Sequence, residues 1–143
     1  MGMTTVLERL QTITDAFIME NSQKITKEDI NELPQKIKQI DHLFRTPGPL
    51  EKYHGRAKVA TSLAIDYAQG VYTEVDPNTI KLVVYGLLYV VREDDIIPDS
   101  LPIVGQLDDV IVFNKCCALA QKQLDTYKVW KIMQSKPSEG TNK

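Results

Sequence analysis

D-D-I-I-P-D-S-L-P-I-V-G-Q-L-D-D, residues Asp94 to Asp109, places five Asp, two Pro and one Gly in sixteen positions. Between them stand Ile96, Ile97, Leu101, Ile103, Val104 and Leu107. A solvated linker does not carry so many apolar side chains. An apolar segment this acidic must find partners for its carboxylates and backbone, because unpaired polar groups inside a fold are costly. The stretch reads as a buried connector between two helices, with Pro98, Pro102 and Gly105 shaping the turn.

Upstream, Asp76-Pro77 is a helix start: the carboxylate accepts orphan N–H groups and Pro occupies the first helical position. Ile80 to Val91 is then apolar on nearly every side, which predicts the central, most buried helix. Val and Tyr also favour strands, but the Asp-Pro start and the lack of a second strand-like run decide for helix. Gly86 inside it costs about 1 kcal/mol relative to Ala, so a close helix contact is expected there. Downstream, Val110, Ile111, Phe113, Cys117, Leu119, Ala120, Leu124, Tyr127 and Val129 mark one long final helix to Met133.

Toward the N-terminus, Thr46-Pro47-Gly48-Pro49 is a firm break. Before it, Val6, Leu7, Leu10, Ile13, Phe17 and Ile18 predict a helix from Thr5 to Glu20, and Thr26 with Asp29 resembles a capping box. The stripe Ile30, Leu33, Ile37, Ile40, Phe44 is interrupted by Pro34, which predicts a short helix to Leu33 and a second to Arg45, or one kinked helix. After the break, Tyr53 to Ala68 forms another helix, closed by Gly70. The fold class is all-α: a compact bundle of about five helices, with a central apolar helix joined to the last long helix by the acidic connector. Residues 1–46 are a helical lead-in packing on the core, 50–133 the main unit and 134–143 a disordered tail, one globular domain in all.

A chain of 143 residues with net charge −2 has no bulk attraction to nucleic acid. Its charge is uneven, with −5 over Arg92–Asp109 and +4 over Asn114–Lys143. The longest apolar run, Leu82 to Val91, is far short of the roughly 20 residues that span a bilayer. Cys116 and Cys117 are adjacent and ill placed for a mutual disulfide, which favours a reducing, cytoplasmic setting and buried structural thiols over a nucleophile. His42 and His54 have no ligand spacing between them and read as surface or cap residues.

Asp95 to Asp109 resembles the signature D-L-I-P-D-x-I-P-x-x-G-x-x-D-D of the YkvA-like family, a domain of unknown function (1232). Leu87 to Val91 is similar to the apolar helix before that signature, and Asp125, Tyr127 and Trp130 resemble a D-x-Y-x-x-W ending of longer members. The chain departs from the pattern at Arg92-Glu93, where Ser-Pro or Asn-Pro is usual, and at Ser100, where a bulky apolar residue is usual. Both changes make the connector more polar. The resemblance implies an all-helical fold with two packed helices joined by the acidic turn, and no reaction.

Four roles compete for Asp95, Asp99, Asp108 and Asp109. Capping of helix ends by Asp99 and Asp108 is favoured, with a loss of about 1 kcal/mol expected for Asp108→Ala. Divalent metal binding is an alternative, since carboxylates are hard oxygen ligands, though the spacing is not that of an EF-hand. An acidic docking surface is a third, for a second copy or a protein partner. Catalysis is the least supported, with no nucleophile–base set in view. The resulting expectation is a non-enzymatic helical binding or scaffold module without a required cofactor. Peripheral membrane association and a divalent-metal protein are the alternatives.

Overall fold

A computed structural model of the chain describes residues 3–92 and 102–135. Among these residues every regular element is helical: α1 (Met3–Leu10), α2 (Asp15–Ser22), α3 (Lys27–Glu32), α4 (Ile37–Arg45), α5 (His54–Ala68), α6 (Pro77–Val91), α7 (Pro102–Leu119) and α8 (Gln121–Ser135), with 3-10 turns at Leu33–Lys36 and Glu51–Tyr53. The expected all-α class holds. Its elements are more finely divided than the apolar spacing indicates.

The first helix breaks in two, and local hydroxyl chemistry is the reason. Thr12 Oγ1 donates to Arg9 O at 2.6 Å, while Thr14 Oγ1 accepts from Phe17 N–H at 3.1 Å and restarts the chain as the cap of α2. Such short side chains offer the backbone an alternative to continuous helix. Pro34 converts the middle of the next stripe into a 3-10 turn, as its missing donor dictates. The capping box at Thr26 is complete in both directions with Asp29. Gly70 closes α5 with φ +74°, a torsion that side-chain-bearing residues resist.

The connector is shorter than the sequence implies. Helix α7 begins at Pro102, so Gly105 lies in its first turn and the stretch from Ile103 to Asp109 is helical. Pro is suited to the first helical position because its absent N–H would be an orphan there anyway. Asp95, Pro98 and Asp99 lie outside the described residues. So does the tail beyond Ser135, while Gln134 and Ser135 extend α8 past the expected end at Met133.

The long final helix is also divided, at Ala120. α7 packs along α6 whereas α8 packs against α5, and the bend lets each segment follow its own neighbour. It also changes which face is inward: Leu119 and Val129, read from spacing as core positions, are exposed, while Phe113, Cys116, Cys117, Leu124 and Tyr127 are buried. α6 is the centre, buried continuously from Leu82 to Val90. At Gly86 a Cβ would lie 3.0 Å from Cys116 Cβ and 3.6 Å from Phe113 Cα, which is the close contact its position in the helix predicts. Helix α2 contacts both α6 and α7, and the buried apolar residues form one cluster from Ile13 to Tyr127.

Candidate functional site

Two polar constellations are built into this frame. The first lies in the α6–α7 seam. Tyr89 and Asp108 are both buried, and the Tyr89 hydroxyl donates to Asp108 Oδ2 at 2.9 Å. Asp108 is thus an interior helical residue that accepts from a side chain of the facing helix, and the expected cap at a helix start is corrected. Its neighbour Asp109 is buried as well. A carboxylate in such surroundings is retained only with hydrogen-bond donors. Among the described residues no group of three or more His, Cys, Asp or Glu side chains converges as a metal site.

The second constellation joins α5 to α8 and was not legible as a site. Asp66, nearly buried, accepts from the Tyr127 hydroxyl at 2.5 Å and from Lys131 Nζ at 2.9 Å, both on Oδ2. Ser62 Oγ lies 2.5 Å from the same Tyr127 hydroxyl. Burial first, and then the bond to Asp66, pushes the Tyr127 hydroxyl above its ordinary pKa. The same carboxylate holds the Lys131 ammonium above its usual range. The stabilisation from Lys131 is therefore present through neutral pH and is lost only as pH rises through that raised value. Tyr127 also stacks on Trp130 at 5.8 Å and meets Tyr72 edge-on at 5.0 Å. Of the D-x-Y-x-x-W positions, Tyr127 and Trp130 are structural here. Asp125 is exposed and accepts from Gln121 Nε2 at 2.8 Å. The missed signal was Asp66 itself, a lone acid three residues after Leu63 on the inward face of an Ala-rich helix.

A third set sits where α4 meets the start of α5. Asp41 receives Arg45 Nε at 2.7 Å on one oxygen and faces His54 Nε2 at 2.8 Å on the other. The bond to His54, followed by that to Arg45, holds the Asp41 carboxyl below the usual carboxylate range. This contribution persists at neutral pH and fades as pH falls through the lowered value. His54 is therefore a link between two helices, and His42 is exposed.

Burial pushes the Cys116 thiol far up and the Cys117 thiol up to about 12. Both are free and buried in α7. Since the thiolate is the reactive form, neither should label with an aromatic disulfide reagent at pH 8 in the native protein, and both should label promptly in denaturant. Fast native labelling of either thiol would contradict this burial.

The sequence model of the family described as "Protein of unknown function (DUF1232)" matches residues 79–114, from the first turn of α6 into the middle of α7. The chain is 33% identical over 67 residues to the "Uncharacterized membrane protein YkvA" of Bacillus subtilis (strain 168). That match covers 47% of this chain and 63% of the relative, so the chain spans less than two thirds of the relative's length. No solved structure matches. Among the described residues, no helix is long and apolar enough to cross a membrane.

Proposed function

With residues 79–114 marking this as a YkvA-like chain of the DUF1232 family, we propose that it is a non-enzymatic helical scaffold that associates through the outer face of α8. One observation carries the reading. Val129, Ile132 and Met133, at 62%, 51% and 61% exposure, form a contiguous apolar stripe on a helix whose inward face is anchored by Tyr127 and Leu124. Spacings of three and four place them side by side, and contiguous exposed apolar groups mark interaction surfaces more often than isolated ones do. Two further features support a binding role over chemistry. The Asp108 carboxylate is engaged inside the core by Tyr89, and the two thiols are held in their unreactive form.

A second copy of the chain is the occupant this stripe fits best, because a short apolar helix face is self-complementary across a two-fold axis. In light scattering the protein should show a mass that rises with concentration, and Val129→Asp with Ile132→Asp should abolish the rise without lowering the melting temperature.

Peripheral attachment to a membrane is the second reading, favoured by the description of YkvA as a membrane protein and by Lys128 and Lys131 beside the stripe. Monomeric protein that floats with phosphatidylglycerol vesicles would select it. A monomer that neither associates nor floats would refute both. The free thiols support a cytoplasmic setting.

A further inference from the structure

A cleft of about 520 Å³ opens between α4, α5 and the end of α8. This lies within the roughly 300–1,000 Å³ of small-molecule sites. Its floor is apolar, supplied by Ile37, Ile40, Ala57 and Ile65. Helical spacing explains why α5 supplies so much of the wall: Lys58, Thr61, Ser62 and Ile65 recur at three and four residues and share one face.

The charges decide what the cleft would take. Its two carboxylates are already engaged, Asp41 by His54 and Arg45, and Asp66 by Tyr127 and Lys131. Of its three lysines, Lys131 is committed to Asp66. Lys38 and Lys58 also line the cleft, are exposed, and form no ion pair among the described residues. An apolar floor with two uncommitted ammonium groups is complementary to a molecule with an apolar body and one anionic end. We propose that this cleft binds an amphipathic anion, an alkyl or aryl body ending in a carboxylate, sulfonate or phosphate, with the body on Ile40 and Ile65 and the charge between Lys38 and Lys58.

This site adjoins the α8 outer face, sharing Lys58 and Lys131 with a groove that Ile132 also lines. The two assignments are told apart by separate substitutions: Lys38 and Ile65 belong to the cleft alone, Val129 to the stripe alone. The test is calorimetric titration of the full chain with dodecanoate below its micellar concentration, with dodecanol as the uncharged comparator. Saturable one-site binding is expected, weakened about tenfold or more by Lys38→Glu with Lys58→Glu, as loss of charge-assisted contacts should do. Dodecanol should bind the wild type and this variant alike. Ile65→Trp should fill the cleft and remove binding, and circular dichroism establishes that it folds. The lysine pair keeps the test decisive if it does not, since both side chains are exposed. Phosphatidylglycerol vesicles form the second arm. Vesicle binding lost on the same lysine reversal, but retained by Val129→Asp with Ile132→Asp, assigns the cleft to a membrane-borne anion, while dodecanoate binding alone assigns it to a free one. Absence of binding to either probe, or binding indifferent to the cleft substitutions, would overturn the proposal.

Discussion

Gly86→Val should lower stability by about 3 kcal/mol, the upper part of the usual range for overpacking a core. The first added carbon would already stand 3.0 Å from Cys116 Cβ and 3.3 Å from its Sγ, with the Phe113 backbone at 3.6 Å behind it. A flexible neighbour would turn aside. Here the obstruction is the root of a side chain and the main chain of α7, so α6 and α7 must separate along their most extensive contact. Gly86→Ala is the informative comparison. It gains about 1 kcal/mol of helix propensity and needs the facing helix to yield by only a few tenths of an ångström, so the two effects nearly cancel. Urea unfolding should show the Val variant with a much lower midpoint at an unchanged slope. Equal midpoints for Gly, Ala and Val at this position would mean that the two helices are not in contact there.

Tyr89→Phe should cost about 1.5–3 kcal/mol, the range for a hydrogen bond to a charged group. The ring stays, with its edge-on contact to Tyr85 at 6.0 Å, so the loss isolates the hydroxyl that reaches Asp108. This exceeds the roughly 1 kcal/mol expected if Asp108 were only a surface cap. Adding Asp108→Asn to Tyr89→Phe should cost less than the sum of the two single changes, because residues sharing one buried bond are not additive. Strict additivity in that cycle would show that the two side chains do not act on one another.

The helical class, the Asp76 cap, the Pro34 interruption and the close approach at Gly86 were legible because each depends on local chemistry or on a single periodicity. The breaks at Thr12–Thr14 and at Ala120 were not. The first turns on hydroxyls competing with the helix for backbone groups, a contest that spacing of apolar residues does not register. The second has no local cause at all. Ala120 is a good helix former, and its own N–H still bonds to Cys116 O while Leu124 N–H bonds to Ala120 O. The capping reading of Asp108 failed for a related reason: Pro102, not the residues after Gly105, opens the helix, so an acid that looked terminal became interior. The Asp66 cluster was missed because its two halves, Ser62 with Asp66 and Tyr127 with Lys131, are more than sixty residues apart in the chain and share no motif.

The bend at Ala120 also bears on how chains of this kind diversify. No glycine, proline or positive-φ residue stands there; beyond it α8 lies against α5, where Tyr127 and Lys131 reach the Asp66 carboxylate. The stretch matched by the family ends at residue 114, before the bend. A sequence could therefore keep that stretch unaltered, lose the acid at position 66, and let α7 and α8 run on as a single straight rod. The fifteen residues of α8 thus lie along a helix formed far earlier in the chain, and their direction is a matter of packing and not of the sequence at the break.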